Sequence, residues 1–148
     1  MTTASVSRVT TAMPMRVAAG VAGGLIGGVV FGVLMQMMDI MPMIAMLIGS
    51  DSIVVGWLVH LAISAFIGVT FAVLLGRWAT SVAVSVALGM GYGVIWWVLG
   101  ALILMPAKLG MGVFTFNTMA WQSLMGHLIY GALLGAAYAM ILPRLRRR

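Results

Sequence analysis

Long apolar runs separated by short polar breaks dominate the chain. Four runs stand out: residues 17–40, 53–75, 82–105 and 119–142. Each is long enough to cross a hydrocarbon core of about 30 Å as a helix, and only a helix satisfies its own backbone in lipid. The pattern predicts an all-α polytopic membrane protein, with residues 1–148 forming one integral membrane domain. Residues 1–16 are rich in Ser and Thr and read as a short tail. The apolar run that follows is too long for a signal-peptide core and lacks a small-residue cleavage site, so it reads as a retained helix. Asp51, in a Gly-Ser-Asp-Ser turn, reads as the N-cap of the second span.

The second and fourth runs align without gaps. GWLVHLAISAFIGVTFAVLL from Gly56 lies over SLMGHLIYGALLGAAYAMIL from Ser123, which sets His60 on His127 and Gly68 on Gly135. The first and third match more weakly, through Gly27 on Gly91 and Met41-Pro42 on Met105-Pro106. The expected architecture is therefore two helix-hairpin repeats in parallel topology, related by a pseudo-two-fold axis along the membrane normal. Proline is expected to end the helix before each apolar loop. Small residues recur every fourth position, as in His60/Ser64/Gly68/Ala72, His127/Gly131/Gly135/Ala139 and several glycine pairs of the first span. Such spacing lets helix backbones approach closely. It serves packing inside one bundle for the second and fourth spans. On the first span, packing and a self-association surface remain open.

Composition removes the other classes. Hydrophobic residues make up 64% of the 148 residues and charged residues 7%. A soluble domain carries roughly 25% charge. Cysteine is absent, which excludes disulfides and thiol chemistry. The net charge of +6 does not mark a nucleic-acid surface, because the cations sit at span ends. Of the 8 basic residues, all but Lys108 fall on the side of the termini and the Arg77 turn. That bias places both termini in the cytoplasm and the protein in the plasma (inner) membrane. The basic PRLRRR end suits anionic headgroups and fixes topology. Trp57 and Trp121 near the outer ends, and Trp78 at the inner turn, occupy aromatic-belt positions.

The GHLIYGALLGAAYAMIL segment, the MPAKLGMG loop and the two-copy layout resemble a family of small, uncharacterised four-span membrane proteins of bacteria and archaea. The resemblance covers most of the chain and implies a fold and no activity.

Candidate chemistry rests on few residues. An ionisable group inside a span suggests function by default. His60 and His127 fall at comparable depths and could hold haem between two imidazoles, or a copper ion. Alternatively, each ring hydrogen-bonds a backbone carbonyl or Gln36 and fixes packing. Most of the 15 methionines lie in the outer half, among them Met35, Met41, Met105 and Met119. Thioethers suit copper(I), although Met is also an adaptable core filler. Asp39, closing the first span, could orient a histidine or simply face water. No hydrolase, metalloprotease or nucleotide-loop signature appears in a fitting context. The expected protein is non-enzymatic, an accessory or structural component whose partners are the bilayer and either a second copy or a larger membrane complex. A haem- or copper-binding protein and a small transporter or channel are the alternatives.

Overall fold

The computed structural model describes residues 3–147, with side chains from Met13 onward. Arg8 and Arg148, part of the basic cluster, lie outside the described side chains. The chain forms α1 (Thr3–Met37), α2 (Met41–Met46), α3 (Ile53–Leu74), α4 (Val82–Trp96), a π-helical stretch (Trp97–Leu104), α5 (Met105–Lys108) and α6 (Thr118–Arg146). Four segments are long and apolar enough to cross a membrane: Met13–Met37, Ile53–Leu74, Val82–Lys108 and Thr118–Arg146. The protein is all-helical, with no strand among the described residues. Helix α1 begins at Thr3, ahead of the first candidate span, which begins at Met13.

Glycine sets the packing. A Cβ on Gly20 or Gly24 would strike the backbone of Gly68 or Ser64 on α3. A Cβ on Gly23 or Gly27 would meet the carbonyl oxygens of Leu134 and Tyr130 on α6, at 2.9 and 2.8 Å. One helix thus uses two glycine faces to hold two neighbours at backbone contact, where dispersion supplies the association that water cannot drive in lipid. α4 repeats the device once, since Gly89 and Gly93 abut the backbone of Gly131 and His127 on α6. The glycines of α1 that left self-association open are thus occupied within the bundle.

The helices follow the order α3, α1, α6, α4, and the ring is not closed by backbone packing between α3 and α4. Side chains bridge that seam instead. Tyr92 donates to Thr70 Oγ1 at 2.7 Å, and Phe66 meets Trp96 edge to face at 5.9 Å. The core runs beside this seam through Phe71, Leu134 and Tyr138, all fully buried. α1 and α6 pack antiparallel, so Arg16, Arg144 and Arg146 share one end, where Gly76 of the α3–α4 turn also meets Tyr138. The loops leading to α3 and α6 form the opposite, distal end.

Three local expectations change. The N-cap of α3 is Ser52, without a side-chain bond, and Asp51 is exposed. Pro106 does not end its span, because the helix runs on to Lys108. Proline has no N–H to offer the carbonyl four residues back. That carbonyl, Leu102, instead accepts from Phe114 of the following loop at 2.9 Å. Trp57 is no belt residue either. Its ring lies over Gly32, and its indole N–H donates to Gln36 Oε1 at 3.3 Å. Trp121 and Trp78 are exposed, the latter under the Arg77 guanidinium at 3.8 Å.

Candidate functional site

A cavity of about 700 Å³ occupies the distal half of the bundle. Its size falls within the roughly 300–1,000 Å³ of small-molecule pockets. All four spans contribute: Phe31 and Met35 from α1, His60 from α3, Leu102 from the π-helical stretch, His127 and Tyr130 from α6. The Phe66–Trp96 pair lines it where the α3–α4 seam begins to close. α3 and α4 make little backbone contact that could shut the seam.

The cavity follows from local sequence. Glycines pull α4 onto α6 as far as Gly93, and one turn later the register brings in Trp97. Its ring is buried, and its Nε1–H donates to the Ala120 carbonyl at 2.9 Å. Here the span becomes π-helical, with Met105 N–H donating to Gly100 O five residues back. π-Helical geometry is rare and concentrates at functional sites.

Both histidines line this cavity. His60 is buried, and its Nε2 lies 2.8 Å from the Gly28 carbonyl on α1. His127 Nδ1 lies 2.8 Å from the Ser123 carbonyl one turn back on its own helix. A carbonyl only accepts, so each of these nitrogens carries the proton and donates. The neutral ring then keeps a lone pair on its other nitrogen, Nδ1 of His60 and Nε2 of His127. Neither has a partner among the described residues. Ser123 Oγ, also in the lining, lies 3.3 Å from the same Nδ1 of His127. Phe31 touches both rings edge to face, at 5.6 Å from His60 and 4.8 Å from His127. Nearby, Tyr130 donates to the Ser64 carbonyl and Ser64 to the His60 carbonyl, both at 2.8 Å, so these hydroxyls are committed to backbone.

The other candidates do not join the pair. Gln36 is held by Trp57, whose ring in turn sits edge-on to His60 at 6.2 Å. Asp39 is exposed at the end of α1 and does not line the cavity. Met35, Met105 and Met119 line it, whereas Met41, the first residue of α2, is buried against Gly56. Among the described residues no three His, Cys, Asp or Glu side chains gather as a metal set. Sequence reasoning missed Phe31, which lines the cavity but looks like an ordinary apolar position. No family model, curated protein or solved structure matches this chain.

Proposed function

We propose that this chain is a small, non-enzymatic integral membrane protein that binds an apolar molecule drawn from the lipid phase. The single observation behind this reading is the distal cavity, walled by all four spans, with little backbone packing at the α3–α4 seam. A guest can pass through such a seam without crossing water. The donors around the cavity mostly bond backbone, which suits holding a guest more than transforming it. Saturable binding of a fluorescent acyl probe by the purified protein tests this. We expect one site, weakened at least tenfold by Ala101→Phe, which fills the half-buried wall position. Absence of saturable binding overturns the reading.

The same reading places the chain in the plasma membrane, with both termini in the cytoplasm and the cavity in the outer leaflet. The basic residues at the terminal end support it. The paired glycine contacts of α1 with α3 and of α4 with α6 support a duplicated hairpin. Because the chain has no cysteine, single cysteines report topology cleanly. Val113→Cys should react with an impermeant maleimide on intact cells and Arg147→Cys should not. The reverse result inverts the orientation.

A further inference from the structure

We propose that the cavity selects an apolar chain carrying a hydroxyl group, whose O–H donates to the free lone pair of His127 or His60. The proposal rests on the cavity reading above and specifies its ligand class.

Among the donors that line the cavity, the Trp96 indole N–H is buried without a partner and Lys108 is exposed, while those of the two rings and the neighbouring hydroxyls are committed. Both ring N–H groups are spent on carbonyls, and the Ser64 and Tyr130 hydroxyls donate to backbone. What the two rings leave for a guest is therefore two acceptors, His60 Nδ1 and His127 Nε2. An acceptor left unpaired among apolar walls is unfavourable, and a guest donor removes that penalty.

Ligand classes separate on this ground. A ketone, ester or ether head brings only acceptors, so it can take the Trp96 N–H but satisfies neither ring, whereas a hydroxyl can do both. A carboxylate or phosphate sets its charge against two lone pairs, and the one cation in the lining, Lys108, is exposed rather than buried beside the rings. An ammonium head donates but needs a counter-charge, and the two acids of the chain, Asp39 and Asp51, are exposed and line no part of this cavity. A buried charge without a partner is strongly disfavoured. A neutral hydroxyl on an apolar chain is the head that matches, whether it comes from a long-chain alcohol, an isoprenoid alcohol or a monoacylglycerol. A ligand with two hydroxyls satisfies both rings.

The fixed geometry supports selectivity. His60 is anchored to α1 and His127 to its own helix, and Phe31 rests against both rings. The rings are held in place before a guest arrives, so little ordering is lost on binding.

The test compares a long-chain primary alcohol with its methyl ether, which has the same chain and no donor. Each is titrated against the bound acyl probe on the full-length protein in detergent. We expect the alcohol to displace the probe at about tenfold lower concentration than the ether, the ratio one well-made hydrogen bond supplies. His127→Leu together with His60→Leu should reduce that ratio below about threefold. Because the chain holds only 2 histidines, 15N-histidine labelling supplies a readout on the unaltered protein. The alcohol should move an unprotonated imidazole 15N resonance upfield, and the ether should not. Equal displacement by both, with static imidazole resonances, overturns the hydroxyl proposal and leaves the cavity reading standing. Failure of both compounds and of the acyl probe overturns the two together. Stoichiometric haem or copper in the purified protein, lost in the histidine variants, also overturns it.

Discussion

The α1/α3 hairpin and the α4/α6 hairpin are held in the same way at one end and built differently at the other. At the terminal end both pair glycine with bare backbone, Gly24 against Ser64 and Gly68 in one, Gly89 against Gly131 in the other. At the distal end the first hairpin folds α2 back under itself. Met41 is fully buried, and its carbonyl lies where a Cβ on Gly56 would fall. The second hairpin sends its span on as a π-helix past Pro106, and the following loop leaves Met111, Val113, Phe114 and Phe116 exposed. The bulky partner also changes sides. Trp57 of α3 covers Gly32 of α1, whereas Trp97 of the third span meets Ala120 of α6. The zipper fixes how close two helices come. The distal ends decide whether space is left between the hairpins, and the cavity is that space.

The largest expected effect strikes the shared half. Gly89→Ala drives a Cβ into the Gly131 carbonyl, and neither backbone can yield without parting α4 from α6. We expect a loss of about 3 kcal/mol, the upper range for overpacking, read by reversible unfolding in micelles. Gly24→Ala should lose a comparable amount. Gly91, which meets nothing within 4 Å, is the control, and Gly91→Ala should gain roughly 0.5–1 kcal/mol from helix propensity. If Gly24→Ala proves harmless, the two zippers are not alike.

A second comparison sharpens the distal contrast. Met41 has no exposed surface, while Met105, also followed by proline, is half-buried and borders the cavity. Met41→Ala should lose about 2 kcal/mol, near the lower end for a buried methionine. Met105→Ala only widens an existing space and should lose less than about 1 kcal/mol. Equal losses would mean that the second loop also folds against its hairpin.

These residues also show what was legible in the sequence. The spans could be read because twenty or so apolar residues have one solution in lipid. The glycine faces could be read because four-residue spacing places residues on one side of a helix. Both histidines were found by their cost in an apolar span. The match of Gly27 to Gly91 misled, since Gly27 faces the Tyr130 carbonyl and Gly91 faces open space. The contacts instead relate Gly24 to Gly89, a shift one residue longer, and polarity alone does not register one residue among small side chains. The π-helical stretch was invisible for the same reason. WVLGALIL is apolar on every side, so no period marks the change of helix type. Gln36 and a backbone carbonyl were the two partners offered to the histidines; both rings take carbonyls, and the Trp57 indole reaches Gln36.

The smallest effect explains the acid that seemed to belong to the site. α1 and α5 end alike. Ile40 N–H donates to Met35 O and Asp39 N–H to Gln36 O, as Met111 N–H does to Pro106 O and Gly110 N–H to Ala107 O. This pair of bonds closes a helix only if the residue after its end turns left-handed. Gly110 does so at φ 69° and Asp39 at φ 55°. Glycine adopts that conformation freely, while a side chain costs roughly 1–2 kcal/mol, less for Asp and Asn. Asp39 is thus placed by backbone geometry, which accounts for an exposed carboxylate without a histidine partner. Asp39→Gly should gain about 0.5 kcal/mol, and Asp39→Ala should lose a similar amount. Gly110→Asp, the reciprocal exchange, should lose about 0.5 kcal/mol or less, because its loop is exposed and can relax. Acyl-probe affinity should stay the same in all three. A drop in affinity that Asp39→Gly and Asp39→Asn share would sink the conformational account, because Asn tolerates the same turn without the charge.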